Sequence, residues 1–366
     1  MKKLLFLGSL HSGGAEHQMV VLARLLKGKG YDVTFVCRGE TNFFQKDLDE
    51  IGIPIVRIYD NKLAAFFKLN IPRITFKLYK ILKKGKYDTV ISFLGEWNFI
   101  NCLLAKHRST CHRAITGIRN NRDEVFLNSK EKFYTRFEHY AYRKVSNSDA
   151  AQRRFAQYFP KLASKLETIY NIVDLPPIVS EYISKKDGKV NIIIPASYRE
   201  VKNPMRFLEA VAMMPTEKKA TIRIDWYGNI NEGLDIHRQM QEYIQSNQLE
   251  ELVFLHDATK DIANRINEAD VVGLFSTSEG MPNSICEGMM LGKPIIMTRV
   301  SDYDMLVDES NGFLCDADNV QSISNALSLV SGLTNSEIKS LGDKSRNKAQ
   351  ALFSEEIILK KWINII

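Results

Sequence analysis

Short apolar runs alternate with amphipathic segments along the whole of this 366-residue chain. Ala15–Lys29, which follows the first run, repeats apolar residues at the spacing of a helix that packs on one side. The runs that we interpret as strands are Lys3–Ser9, Asp32–Cys37, Pro54–Tyr59, Thr89–Leu94, Arg113–Gly117, Lys144–Asn147, Thr168–Asn171, Val190–Ala196, Thr221–Tyr227, Leu252–Leu255, Val271–Phe275 and Pro294–Thr298. This alternation predicts an α/β protein with doubly wound parallel sheets.

The alternation is interrupted by Leu175-Pro176-Pro177 and by the polar stretch that continues to Gly188. Prolines and clustered polar residues are typical of a linker, and a chain of this length can form two domains that each bury a core. We therefore predict one Rossmann-like domain over residues 1–175 and a second over residues 176–352. Residues 353–366 are predicted to form a short amphipathic helix.

The formal net charge of +7 is unevenly distributed along the chain. Residues 1–180 contain 30 Lys and Arg against 16 Asp and Glu, whereas the remainder contains 20 against 27. A basic half joined to an acidic half suggests that the first half meets an anionic partner. Nucleic acid fits this charge, but no nucleic-acid-binding module is recognisable, so we expect no nucleic-acid partner.

Five cysteines are scattered through the chain without a Cys-x-x-Cys pair, so neither a disulfide framework nor a zinc site is indicated. We expect most of them to be small core residues. The start, Met1–Gly8, imitates a signal peptide, but its apolar run ends before His11 and no small-residue cleavage site follows. No apolar stretch has the length of a membrane-spanning helix. These features predict a cytoplasmic protein.

The segment Lys62–Lys86 contains eight cations and no acid. Pro72 can occupy the first position of a helix there. The cations on one face of that helix would be Arg73, Lys77, Lys80 and Lys84. One interpretation is a helix docked on the sheet with a solvated basic side. The other is peripheral contact with anionic lipid headgroups, at the inner face of the plasma membrane.

Two glutamates, Glu279 and Glu287, follow the predicted strand Val271–Phe275, with seven residues between them. A glutamate at the end of a parallel strand and another in the next helix can face one ligand at that edge of the sheet. Glu287 alone has a simpler explanation, because Ser284-x-x-Glu287 is also a capping box. The strand before this segment and Gly292-Lys293-Pro294 after it favour the ligand site.

Two other strand ends carry residues that suit an anion. Gly13 and Gly14 follow the first strand, and paired glycines let backbone N–H groups approach an anion at a helix N-terminus. An ordinary tight turn has the same composition. Lys202 follows Val190–Ala196, where it is either a phosphate ligand or a solvated surface lysine.

The segments Gly13-Gly14-Ala15-Glu16, Lys202-Asn203 and Ser278–Gly288, in this order, resemble the signature of retaining glycosyltransferases of family 4. The resemblance implies the GT-B fold, in which two Rossmann-like domains face each other across a cleft and the last helix crosses back onto the first domain. It also implies transfer of a hexose, with retention of configuration, from a nucleotide-sugar donor that we expect to be a UDP-sugar. The acceptor would be a glycan or a lipid-linked glycan in surface polysaccharide biosynthesis.

The resemblance also implies roles for residues of the second domain. Lys202 and Arg199 would neutralise the departing diphosphate, while Glu279 would bond the hydroxyls of the donor sugar. Glu287 would accept both ribose hydroxyls. Ser197 stands where the family usually has an arginine, so Arg199 would have to reach the phosphate from two residues later. The backbone that would hold sugar and phosphate is that of Gly280, Met281, Pro282, Asn283 and Ser284.

Other candidate residues are assigned by their position at strand ends. Gly13 and Gly14 would close over the donor diphosphate. The base would lie against the loop after Leu252–Leu255, near His256 and Ala258. The candidates on the acceptor side are His11, Arg119 and Asn120.

Another class of glycosyltransferase holds a divalent metal with an Asp-x-Asp string, and such strings begin at Asp47, Asp302 and Asp316. So short a string recurs by chance and none of the three directly ends a predicted strand, so we expect no catalytic metal and no other cofactor. Two alternatives to a transferase are a GT-B sugar-nucleotide epimerase and a non-catalytic sugar-nucleotide-binding scaffold. The presence of the complete set of Lys202, Glu279 and Glu287 argues against a degenerate binder.

Overall fold

The computed structural model describes residues 2–11, 13–40, 42–60, 70–93, 95–107, 109–110, 112–119, 126–185 and 188–366. The chain divides into two compact units. The N-terminal unit is Met1–Ile172 together with Glu355–Ile366, and the C-terminal unit is Val173–Ser354. The sequence-based predictions for Lys62, Lys68, Cys111 and Asn120 lie outside the described residues.

The described part of the N-terminal unit contains a parallel sheet of seven strands in the order β3-β2-β1-β4-β5-β6-β7. The strands are β1 Lys3–Gly8, β2 Asp32–Arg38, β3 Ile55–Ile58, β4 Thr89–Ser92, β5 Arg113–Ile118, β6 Arg143–Ser146 and β7 Leu166–Thr168. Leu4–Leu7 are fully buried, because a strand inside a parallel sheet is covered on both faces. The direction of winding reverses between β1 and β4, so the carboxyl ends of these two strands form the switch point of this unit.

The helices of the N-terminal unit lie between these strands. Those that lie within the described residues are α1 Gly14–Gly28, α2 Gln45–Asp49, α3 Asn70–Gly85, α4 Gly95–Ala105, α5 Ser129–Thr135 and α6 Asp149–Tyr158, with 3₁₀ turns at Glu138–Tyr140 and Pro160–Lys165. The buried side of α3 consists of Ile74, Leu78 and Leu82, which join the core beneath the helix. Pro72 lies inside this helix rather than at its first position.

The described part of the C-terminal unit contains a parallel sheet of six strands in the order β10-β9-β8-β11-β12-β13. The strands are β8 Val190–Pro195, β9 Ile222–Gly228, β10 Val253–Asp257, β11 Val271–Leu274, β12 Ile295–Thr298 and β13 Gly312–Cys315. The winding reverses between β8 and β11, which places the switch point of this unit at their carboxyl ends. Two doubly wound, Rossmann-like sheets confirm the predicted fold class.

Helices cover both faces of the second sheet. They are α7 Pro204–Met213, α8 Thr216–Lys219, α9 Leu234–Ser246, α10 Ile262–Glu268, α11 Asn283–Met290, α12 Tyr303–Leu306, α13 Val320–Val330 and α14 Asn335–Phe353, with a 3₁₀ turn at Glu200–Lys202. The last helix, α15 Glu355–Ile365, belongs to the N-terminal unit. There the ring of Trp362 lies 6.0 Å from that of Phe93.

The segment interpreted as a linker is attached to the C-terminal unit over part of its length. The amides of Val179 and Ser180 donate to Oδ1 of Asn264, at 3.0 and 3.1 Å. Further along, the hydroxyl of Tyr182 and the amide of Lys185 donate to Oδ1 of Asp270, at 2.9 and 3.0 Å. The carboxylate of Asp270 is completely buried, so these bonds hold the segment against the unit that follows it.

Several local predictions need correction. The strand β13 was not predicted, and β10 extends two residues beyond the predicted end. The capping box at Ser284 is wrong, because α11 begins at Asn283 after Pro282 and its N-terminus has no side-chain cap. Cys37, Cys102, Cys286 and Cys315 are buried free thiols, as predicted for core residues.

Candidate functional site

The switch point of the C-terminal unit brings together the two segments that carry most of the predicted site. The segment after β8 contains Lys202, and the segment after β11 contains Glu279. The amide of Thr277 donates to the carbonyl of Val201 at 2.9 Å and so joins the two segments directly. In open α/β sheets this crevice is the usual place for a ligand.

A lysine and a carboxylate form an ion pair in this crevice. Nζ of Lys202 lies 2.5 Å from Oε1 of Glu279, although 77 residues separate them in the chain. The lysine side chain is 21% exposed and the glutamate side chain 14%, so both remain accessible from one side. The hydroxyl of Ser276 donates to the same carboxylate oxygen at 2.6 Å. Glu279 therefore holds the ammonium group of Lys202 at the mouth of the crevice.

The backbone on both sides of this pair has an unusual conformation. Asn203, directly after Lys202, is left-handed with φ 59° and ψ 39°, and its side-chain amide donates to the carbonyl of Ala317 at 2.8 Å. Ser301 also has a positive φ, of 57°. Its hydroxyl donates to the carbonyl of Gly280. These contacts fix the path of the two segments that present Lys202 and Glu279.

Glu287 lies in α11, the helix that begins at this crevice. Its carboxylate is partly buried and makes no hydrogen bond or ion pair with any described residue. Burial raises the pKa of Glu287 to about 7. A carboxylate without a partner at such a place is suited to accept hydroxyl groups from a ligand.

Arg199 is placed differently from Lys202. Its guanidinium group is 62% exposed and lies 3.5 Å from the carboxylate of Glu232. The amide of Lys202 donates to the carbonyl of Arg199 at 2.9 Å, but the guanidinium group forms no hydrogen bond or ion pair with the described side chains of Lys202 and Glu279. Ser197, at the position where an arginine was expected, is partly buried and its carbonyl accepts from the amide of Arg199 at 2.9 Å.

His256 lies in strand β10 and not in the loop that was predicted to contact the base. Its Nε2 atom lies 2.7 Å from Oδ1 of Asp225. The imidazole stacks on the ring of Tyr227 with 4.4 Å between centroids. Ala258 follows the strand and is exposed. The strand is longer than predicted because β10 pairs with β9 as far as Asp257 and Gly228.

In the N-terminal unit, Gly13 and Gly14 lie at the switch point after β1. Gly13 is the N-cap of α1, and Gly14 is the first residue of that helix. A Cβ atom on Gly13 would lie 2.3 Å from a carboxylate oxygen of Glu16, so a larger residue there would require the Glu16 side chain to move. His11 is exposed.

Arg119 follows β5 and is held by two contacts within the N-terminal unit. Its guanidinium group lies 3.7 Å from the ring centroid of Phe93, and its Nη1 donates to Oδ1 of Asn171 at 3.2 Å. Burial lowers the pKa of Arg119 to about 9. The buried Nε atom has no hydrogen-bond partner among the described residues.

Comparison with known proteins identifies the family. The model described as Glycosyltransferase Family 4 matches residues 12–176, and the model described as Glycosyl transferases group 1 matches residues 189–331. The chain belongs to the family 4 glycosyltransferases. This confirms the resemblance on which the site assignments depend, and the two Rossmann-like units are the two domains of a GT-B glycosyltransferase.

Relatives of this glycosyltransferase match it along its whole length. An uncharacterized glycosyltransferase of Haemophilus influenzae is 24% identical, and the alignment covers 100% of both chains. The Campylobacter jejuni enzyme named GalNAc-alpha-(1->4)-GalNAc-alpha-(1->3)-diNAcBac-PP-undecaprenol alpha-1,4-N-acetyl-D-galactosaminyltransferase is also 24% identical, with 100% of this chain and 98% of that protein covered. The crystal structure of Anabaena HepE in complex with UDP and glucose superposes with a TM-score of 0.82 at 17% identity, covering 100% of this chain and 99% of that one.

Two features are absent from the described part of this glycosyltransferase. No helix there combines the length and apolar character needed to cross a bilayer. No three His, Cys, Asp or Glu side chains there are grouped so that they could share a metal ion.

The sequence analysis missed the side chains that support Lys202 and Glu279. Ser276 and Thr277 follow the predicted strand Val271–Phe275 and were given no role. Ser301 and Asn203 owe their importance to a left-handed backbone, which an asparagine indicates only weakly and a serine does not indicate. A polar residue directly after a buried strand, such as Ser276, was the one available signal.

Proposed function

We propose that this glycosyltransferase moves a hexose from a UDP-sugar, with retention of configuration, to a glycan or lipid-linked glycan in surface polysaccharide biosynthesis. The observation that carries the proposal is the Lys202–Glu279 pair at the switch point of the C-terminal unit. A cation held by a carboxylate in this crevice suits a substrate with both an anionic and a hydroxylated part.

In this proposal Lys202 acts on the leaving group. Breaking the bond between a sugar and a phosphate leaves a growing negative charge on the nucleoside diphosphate. A fixed ammonium group that interacts more strongly as this charge develops lowers the barrier. Glu279 and Ser276 keep the ammonium group in place before the donor arrives. Once the diphosphate takes over Lys202, the Glu279 carboxylate is able to accept hydroxyls of the donor sugar.

Glu287 and the start of α11 are proposed to hold the rest of the donor. The two oxygens of the Glu287 carboxylate match the two adjacent hydroxyls of a ribose. Helix α11 begins at Asn283, and the partial positive charge of a helix N-terminus favours an anion such as a phosphate. His256 and Ala258 are retained as the neighbours of the base, and Gly13 and Gly14 as the donor-facing turn of the N-terminal unit.

The names of related proteins support UDP and a lipid-linked acceptor. HepE was solved with UDP and glucose. The Campylobacter jejuni relative is named for a diphosphoundecaprenol-linked sugar acceptor. We propose the same classes of donor and acceptor for this chain, with attack from the face that the leaving diphosphate occupies. On the acceptor side, His11, Arg119 and Asn120 remain the candidates.

The proposal is tested by incubating the protein with a panel of UDP-sugars and measuring free UDP, with and without short lipid-linked glycans. Release of UDP that depends on the acceptor, with an axial product linkage from an axial donor seen by NMR, supports retaining transfer. Turnover of the donor without an acceptor supports an epimerase instead. Binding of UDP with no turnover of any donor supports a scaffold. A product of inverted configuration contradicts the retaining assignment.

A further inference from the structure

The outer side of α3 in the N-terminal unit is both basic and aromatic. The residues of this side that are exposed are Pro72, Phe76, Lys80, Lys83 and Lys84, and we call them the α3 face. Phe76, at its centre, is 57% exposed. A single exposed aromatic ring is ordinary on a protein surface, so it is the combination of this ring with neighbouring cations that distinguishes the α3 face. The α3 face therefore needs an explanation beyond helix packing.

Packing on the opposite side fixes the direction of the α3 face. Ile74, Leu78 and Leu82 are almost completely buried and anchor the helix to the core. Arg73, which the sequence analysis placed with the basic side, is partly buried and its Nη1 donates to the carbonyl of Tyr59 at 2.6 Å. A helix anchored in this way cannot turn the α3 face inward.

The lysines of α3 lack acidic partners. Lys77, Lys80, Lys83 and Lys84 form no ion pair with any described residue, and α3 itself contains no Asp or Glu. In the C-terminal unit, by contrast, Lys339 on the exposed side of α14 pairs with Asp343 of the same helix. Two of these lysines lie over aromatic rings instead, with Nζ of Lys80 4.5 Å from the centroid of Phe76 and Nζ of Lys83 6.0 Å from that of Tyr79. Their positive charge is therefore uncompensated at the surface.

We propose that the α3 face docks on the surface of an anionic lipid bilayer. Unpaired lysines are attracted to acidic headgroups, each contributing about a fivefold gain in binding when it lies near the surface. An aromatic ring between them can enter the headgroup region, where its apolar body leaves water. A single basic helix with an exposed aromatic residue, and no base-stacking module around it, matches a lipid surface better than a nucleic acid.

The test is flotation of the full-length protein with vesicles of phosphatidylcholine alone and of phosphatidylcholine with phosphatidylglycerol, at low and at high salt. The wild type is expected to float with the anionic vesicles and to be released by salt. The double variant Lys80→Glu/Lys84→Glu should lower the partition coefficient by about thirtyfold or more. Phe76→Ser should lower it by about fivefold. All positions are exposed, so thermal unfolding should stay unchanged.

Matched controls come from the C-terminal unit. Lys339→Glu/Lys344→Glu changes the net charge by the same amount on the exposed side of α14, and Leu329→Ser removes an apolar side chain that is 62% exposed on α13. Both controls should float as the wild type does. Flotation needs neither donor nor acceptor, so its result does not depend on the reaction proposed above.

Several results would overturn the proposal. One is equal partition onto neutral and anionic vesicles, and another is an equal loss in the α3 and control double variants. A third is tight binding of a labelled DNA duplex that the α3 double variant abolishes while vesicle binding stays weak. That result would assign the α3 face to nucleic acid instead.

Discussion

Lys202 and Glu279 form an ion pair at a place that is neither fully buried nor fully exposed. An ion pair in this intermediate setting is weaker than a buried one and can exchange partners. A diphosphate carries more negative charge than one carboxylate and can therefore compete for the lysine. The pair positions the cation in advance and leaves it available.

Replacing Lys202 by Ala should lower kcat/KM for transfer by about 100- to 1,000-fold, since loss of one preorganised charge that stabilises a developing anion costs that much. The matched variant Arg199→Ala should lose less than about tenfold, because Arg199 is exposed and pairs with Glu232. UDP release measures both. The thermal unfolding midpoints should stay close to that of the wild type, and equal losses in the two variants would contradict the separate roles.

Glu287 is destabilising when it is charged and no ligand is bound. Because burial raises its pKa from 4.5 to about 7, the folded protein retains this proton at pH values where the unfolded chain has lost it. Tighter binding of this proton by the folded state adds to the free energy of unfolding. This contribution is fully present below about pH 4.5 and is lost as the pH rises through about 7. The site keeps this carboxylate although it lowers the stability of the free protein.

Glu287→Gln should therefore raise the free energy of unfolding above that of the wild type at alkaline pH, by about 2 kcal/mol after allowance for solvent screening. The difference should disappear in acid, where both side chains are neutral. Urea titrations across the pH range measure it. Glu250→Gln, at an exposed position of the same unit, should show no such trend, and a difference independent of pH would contradict the explanation.

Helix α14 packs closely against a turn of the C-terminal unit at a glycine. A Cβ atom on Gly342 would lie 2.1 Å from the carbonyl oxygen of Gly292. Gly292 itself has a φ of +74°, in the turn between α11 and β12. Arg346, one turn further along α14, donates from Nη2 to the carbonyl of Leu291 at 3.0 Å. The helix is thus fitted onto this turn backbone to backbone.

Gly342→Ala should destabilise the protein by about 1–3 kcal/mol through overpacking, although alanine is the better helix former by about 1 kcal/mol. Gly28→Ala in α1 is the control, because a Cβ atom there meets nothing within 4 Å. It should leave stability unchanged or raise it slightly. Chemical denaturation of the two variants measures the difference, and stabilisation by Gly342→Ala would mean that the helix can move away from the turn.

Most elements could be predicted because their apolar runs or faces are long enough to be recognised alone. Strand β13 was missed because Phe313 and Leu314, its two central residues, make too short a run. It exists because Gly312–Cys315 pair with Ile295–Thr298 of β12, which is a tertiary effect. Helix α11 begins at Asn283 and not after Ser284, because Pro282 occupies the N-cap position. The restricted φ of proline suits the residue that precedes a helix.

The candidate site could be predicted as a set of residues but not as an arrangement. The strand order places the segments after β8 and β11 next to each other, and family resemblance selects Lys202 and Glu279 within them. Their contact depends on the left-handed backbone at Asn203 and on the bond between Thr277 and Val201. Neither has a local signal strong enough to recognise. His256 was placed in a loop because pairing between β9 and β10 is also not visible locally.

At the scale of the whole molecule, the distribution of charge along the chain parallels the proposed division between membrane and acceptor binding and donor binding. The basic half contains the α3 face and the acceptor-side candidates, and the acidic half contains all the donor-site candidates except Gly13 and Gly14. The positive charge proposed to act on the diphosphate comes from Lys202 and from the N-terminus of α11. Both belong to the chain itself.

Transfer should therefore continue in excess EDTA, with an initial rate within about twofold of the untreated enzyme. UDP release by protein dialysed against the chelator measures this. Complete loss of activity that manganese restores, and that calcium does not, would contradict the proposal and show that the chain relies on a divalent cation.

The hydrogen bonds that residues 179–185 donate to Asn264 and Asp270 have a practical consequence for the construction of hybrids between related enzymes. If a C-terminal unit were exchanged with the junction at residue 188, just before β8, the buried Asp270 would lie against a segment from another protein. That segment would lack the groups that donate to Asp270 here. A junction near residue 173 would instead transfer the segment together with Asn264 and Asp270, to which it is bonded. The fusion point with the better prospect of a folded hybrid thus lies well upstream of the sheet that it is meant to exchange.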